Sequence, residues 1–175
     1  GISANGNIEI SNGATIHAQG SSGIYSLSGT VNISGKSNVT ATGDYGIYAT
    51  GGFHVQNSSV TAEGTDGNSI YAPYGKVAIE DSTVEAQGCI QDAIGFGTPD
   101  NGITISNSSV TVTGGQYGIR SSYGSVTISG DATDRVTAEG TDYGIFAYLT
   151  KDITISGGEV IAAGGTAALD TRFLY

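Results

Sequence analysis

The sequence is poor in every residue that usually staples or charges a small domain. Its one cysteine, Cys89, cannot form an internal disulfide. With nothing basic beside it in sequence, it reads as a small buried apolar residue and not as a reactive thiol. The two histidines, His17 and His54, have no metal-ligand partner at useful spacing and read as surface residues. Six Lys and Arg stand against sixteen Asp and Glu. The resulting net charge of −10 argues against nucleic acid or an anionic membrane as partner. No apolar run reaches the length of a membrane span, so membrane insertion is not expected. No stretch repeats its apolar residues every three to four positions, so helix content should be near zero. Only two prolines occur, Pro73 and Pro99, both placed in the turn after a first strand, where no ladder donor is lost. Methionine is absent and the chain opens in mid-repeat, so it is read as an excised segment of a longer protein.

What is present repeats. Gly43 to Ala62, GDYGIYATGGFHVQNSSVTA, carries the unit in full. A turn at Gly43-Asp44-Tyr45-Gly46 precedes an apolar step, Ile47-Tyr48-Ala49. A glycine turn, a strand through Phe53 and Val55, a polar turn and a strand through Val60 and Ala62 complete it. Three short strands in about 23 residues is a solenoid period. The apolar step recurs at Ile24-Tyr25-Ser26, Ile70-Tyr71-Ala72, Ile94-Gly95-Phe96, Ile119-Arg120-Ser121 and Ile145-Phe146-Ala147. Pairs such as Val31/Ile33 and Val39/Ala41 repeat with it.

Alternation of period two puts aliphatic residues on one face of each strand and Thr, Glu, Gln, Asn or Tyr on the other. Strands this short close a core only by stacking on their counterparts in the previous coil, about 4.8 Å away. The expected fold is all-β: a right-handed parallel β-helix of about seven coils of roughly 22 to 26 residues, with three short parallel sheets. The whole of residues 1–175 forms one domain, and 165–175 is expected to start an eighth coil or fold over the last one as a cap. A solenoid end leaves sheet edges that allow end-to-end stacking or continuation into a larger chain. The corner after the second strand reads Asn12, Gly35, Asn57, Asp81, Asn107, Gly130, Gly157, residues that tolerate a left-handed backbone.

Asp44-Tyr45-Gly46-Ile47-Tyr48-Ala49, Asp142-Tyr143-Gly144-Ile145-Phe146-Ala147 and Ile153-Thr154-Ile155-Ser156-Gly157-Gly158 resemble the repeats of secreted bacterial β-helix proteins, in particular carbohydrate-binding β-helix domains. The resemblance covers essentially the whole chain. It implies an extracellular or cell-surface location, binding of acidic polysaccharide, and calcium held by acidic residues at coil corners. The corner residues so implicated are Asp44, Asp66 and Asp142.

Read from the residues, Tyr25, Tyr48 and Tyr71 fall on the outward position of successive first strands, followed by Gly95, Arg120 and Phe146, with Tyr45 at the preceding corner. An exposed aromatic row suits sugar rings, and it equally suits a ring ladder that stabilises the sheet. Asp44 and Asp66 are placed at matched positions in adjacent coils, where they are either calcium ligands or solvated turn aspartates. No cofactor is required for either reading. A lyase needs acids and a base clustered on one face, and a hydrolase two carboxylates in a cleft. Neither pattern is present, so no enzyme activity is expected. Asp131, Asp134 and Arg135 read as a local salt-bridged loop. The expected function is non-catalytic carbohydrate binding. The alternative is a structural spacer or adhesin segment.

Overall fold

The computed structural model describes residues 1–92, 102–148 and 151–171, apart from the side chains at 66, 67, 89, 91 and 92. The chain winds into an all-β parallel solenoid, with no helix among the described residues. Seven middle strands stack in one sheet, from Ile8–Ile10 through Thr30–Ile33, Gly52–Gln56, Lys76–Glu80, Ile103–Ser106 and Val126–Ser129 to Ile153–Ser156. They span about six turns, close to the seven coils expected. Every pairing in this sheet is parallel and in register, as Val31 on Phe53 on Val77 on Ile103 on Val126 illustrates.

The inward positions make one continuous core. Ile24, Ile47, Ile70, Ile90, Ile119 and Ile145 lie in one column with no solvent exposure. Val39, Val60, Val84, Val110 and Val136 line a second wall. Each such side chain contributes about 1.5–3 kcal/mol by leaving water.

The first and third strands were expected to be separated by a turn. Instead the chain runs through that corner without breaking in three coils, as Asn38–Ala49, Ser59–Ala72 and Thr83–Asp92. Two of the three faces are thereby joined into a single 12-stranded sheet. Gly46 is consequently not a turn residue. It is buried within a strand, where a Cβ would lie 2.7 Å from the Ser69 carbonyl oxygen and 2.9 Å from the Glu63 amide. Glycine is needed for the close approach of neighbouring backbones.

The opposite corner has the expected left-handed residues. Asn12, Asn57, Asp81 and Asn107 have φ of 61°, 53°, 48° and 47°, and Gly35 and Gly157 are also positive. Gly130 departs from the pattern because a local turn follows it: the Asp131 amide donates to the Asp134 carboxylate and the Asp134 amide to the Asp131 carbonyl. Next to this corner runs an interior serine chain that sequence reasoning overlooked. The amides of Ser37, Ser58 and Ser82 donate to the hydroxyls of Ser58, Ser82 and Ser108 in turn. The last three hydroxyls donate onward to the carbonyls of Gln56, Glu80 and Ser106. Between coils at this corner Asn107 Nδ2 donates to the Asp81 carboxylate at 3.3 Å.

The fourth coil needs a correction. The sequence places its first strand at Ile94-Gly95-Phe96, which lies outside the described residues; Ile90 takes the core position, pairing with Ile70 below and Ile119 above. From Ala86 to Ile90 the chain advances four residues, against eight from Ala62 to Ile70 and seven from Val112 to Ile119. The expectation assumed corners of equal length, and this corner is half as long as the one before it. Gly95, Phe96 and Pro99 lie outside the described residues. At the far end, Ala167–Asp170 adds a further parallel rung on Tyr143–Ala147.

Candidate functional site

Ladder register fixes the outward column of the first strands. It reads Ser3, Tyr25, Tyr48, Tyr71, Gln91, Arg120, Phe146, Asp170. Tyr25, Tyr48 and Tyr71 are therefore aligned in three consecutive coils. Their rings are half-buried and touch: Tyr25 stacks on Tyr48 at 5.0 Å, and Tyr48 meets Tyr71 edge-on at 5.3 Å. Tyr45 joins this cluster from the corner, edge-on to Tyr48 at 5.3 Å and stacked on Tyr71 at 5.6 Å. Packing among the rings alters their acidity. Burial, then the neighbouring phenols of Tyr48, Tyr45 and Tyr74, pushes the Tyr71 phenol up to about 12. Burial, then Tyr25, also raises Tyr48.

A second cluster begins two coils beyond Tyr71. Tyr117 stacks on Tyr143 at 5.3 Å, and both pack on Phe146 at 5.2 and 4.9 Å. Tyr148 stacks on the same ring at 6.1 Å. Phe146 is on the outward side as expected, yet it is only 1% exposed. Three tyrosines cover it, so it anchors the cluster and offers no face to a ligand. Arg120 sits between the two clusters. Its guanidinium lies 4.9 Å over the Tyr117 ring, and its Nε is buried without a hydrogen-bond partner.

Tyr74 was not anticipated. It is 59% exposed, in the turn after Pro73, and close enough to Tyr48 and Tyr71 to raise both phenols. The other tyrosines of its cluster spend much of their ring surface on one another. The sequence signal was Pro73-Tyr74-Gly75 at a turn that in other coils carries Leu27 or Thr50.

At the acidic corners Gly43 pairs with Gly64 and Tyr45 with Asn68, so Asp44 faces the three residues 65–67 across a bulge and has no single register partner. Asp44 is exposed, and the side chain of Asp66 lies outside the described residues. Asp142 accepts from Gln116 Nε2 at 2.7 Å. Among the described residues no three of His, Cys, Asp and Glu come together to hold a metal.

Elsewhere polar side chains are occupied locally. Arg135 pairs with Glu159 in the next coil at 3.6 Å and not with Asp131 or Asp134. Asp131 accepts from the hydroxyl and the amide of Thr133, which hold its carboxyl below the ordinary range. His54 Nε2 lies 3.8 Å from Glu80 on the middle sheet, and His17 is on the third-strand face beside Thr40. Among the described residues no helix is long and apolar enough to cross a membrane. No protein-family profile, curated protein or solved structure matches the chain.

Proposed function

We propose that this solenoid is a non-catalytic carbohydrate-binding module, acting outside the cell or at its surface, with a polysaccharide laid along the first-strand face. The observation that carries the reading is the alignment of Tyr25, Tyr48 and Tyr71 in consecutive coils, flanked by Tyr45 and the exposed Tyr74. A rigid row of aromatic rings repeating with the coil suits a ligand that also repeats. Ring faces pack on sugar C–H groups, while phenol hydroxyls and Arg120 supply the polar partners.

One observation favours the alternative, a structural spacer or adhesin segment. The tyrosines contact each other at stacking and edge-on distances, which stabilises the sheet with no ligand at all. A glycan array, run with and without calcium, separates the two. The binding reading expects hits that fall at least tenfold in affinity in Tyr74→Ala and Tyr48→Ala, with the circular dichroism spectrum unchanged. An array without hits under both conditions leaves the spacer. Hits that appear only with calcium return the acidic corners to the site.

A further inference from the structure

The short fourth corner has a consequence for the surface. The corner before it, around Gly64 and Thr65, and the one after it, around Gly114, both carry more residues. Gly88 is set back between them, with φ of 116°, and Gly114 has φ of 92°. The result is a recess of about 370 Å³ cut into the edge between the third-strand face and the aromatic face. Its floor is Gln87 and Gly88. Its walls carry Glu63 and Thr65 on one side and Thr113 and Gly114 on the other. Glu63, Gln87 and Thr113 are register neighbours, so their side chains rise from three adjacent strands.

The lining selects a ligand class by elimination. Among the described residues no Lys, Arg or His lines the recess, and the chain carries a net charge of −10, so an anion is repelled. No aliphatic or aromatic side chain among the described residues lines it, so an apolar ligand gains nothing. Among the described residues one carboxylate, Glu63, lines the recess, too few for calcium, which takes six to eight oxygens. What remains is a neutral, polyhydroxylated ring. Glu63 accepts hydrogen bonds, Gln87 both donates and accepts, and the Thr65 and Thr113 hydroxyls do the same. The glycines allow the ring to approach the backbone closely. The volume lies at the lower end of small-molecule sites.

We infer that the recess at Gly88 is a subsite for a single neutral sugar ring, and that it receives a side branch of a polysaccharide lying on the tyrosine row. The ligand class rests on the carbohydrate-binding reading above, whereas the recess itself does not depend on the tyrosines. The test is a titration of the isotope-labelled chain with D-glucose, D-galactose and D-xylose, and separately with D-glucuronate, following the amide resonances of Gly88 and Gly114. Saturable shifts are expected with at least one neutral sugar. They should be absent with glucuronate, lost in Gln87→Trp, which fills the floor, and retained in Tyr48→Ala. Thr113→Tyr fills the recess from the opposite wall and serves the same purpose should Gln87→Trp not fold. No shift from any neutral sugar at tens of millimolar, or equal shifts from glucuronate, overturns the subsite. Polysaccharide binding that depends on Tyr48 while the recess stays silent would sink the subsite alone. Recess shifts with no Tyr48-dependent binding would sink the tyrosine row alone.

Discussion

Tyr45 and Tyr71 stack at 5.6 Å with their rings 16° apart, although they are not register partners. Tyr45 pairs with Asn68 and Tyr71 with Tyr48, so the Tyr45 ring crosses diagonally to the next coil. The contact ties two coils together on the outer surface. A double-mutant cycle with Tyr45→Ala and Tyr71→Ala, measured by urea unfolding, should give a coupling of about 0.5–1.5 kcal/mol. Additive losses would show that the rings act separately.

Alkaline pH should weaken the fold through the same cluster. The Tyr71 phenol is pushed up to about 12 from an ordinary 10.0, and Tyr48 is raised as well. The folded state thus favours the protonated phenol. Its contribution is complete below about pH 10 and is lost as pH climbs from about 10 toward 12, where the unfolded chain ionises first. Urea midpoints should be flat between about pH 7 and 9 and fall above about 10. Tyr71→Phe should flatten part of that fall.

The serine chain carries a different kind of weight. The Ser82 hydroxyl accepts from the Ser58 amide at 3.2 Å and donates to the Glu80 carbonyl at 2.6 Å. Ser82→Ala leaves a buried N–H without its acceptor and should cost about 1–3 kcal/mol. Denaturant unfolding measures it, with an unchanged slope expected because little surface is altered.

Gly46 tests the smooth corner. Gly46→Ala places a methyl between the Ser69 carbonyl and the Glu63 amide and should destabilise by about 1–3 kcal/mol. Gly6→Ala, where nothing lies within 4 Å, should be neutral or gain up to about 1 kcal/mol. Equal effects at the two sites would mean that Gly46 is there for flexibility and not for space.

The covered ring of Phe146 gives the last prediction. Phe146→Ala removes the anchor of three tyrosines and should cost about 3–5 kcal/mol, as for a core aromatic. Tyr74→Ala, at 59% exposure, should leave stability within about 0.5 kcal/mol. Thermal unfolding of the two variants side by side checks both.

Periodicity alone was enough to specify the stacked coil, its buried aliphatic columns, most of its left-handed corners and the row of Tyr25, Tyr48 and Tyr71. These features follow from the alternation of side chains along a strand and from one-coil spacing between like residues, both of which are local. Corner length is not local in that sense. Whether Gly46 turns or runs straight, and whether Ile90 enters the core, depends on which option keeps the ladder in register with the coils on either side. The same neighbours decide exposure: Phe146 and Tyr48 occupy equivalent positions, yet only Phe146 is roofed over, because Tyr117, Tyr143 and Tyr148 lean across it. Outward direction was thus a property of the strand, whereas access to solvent was set by the coils packed above and below.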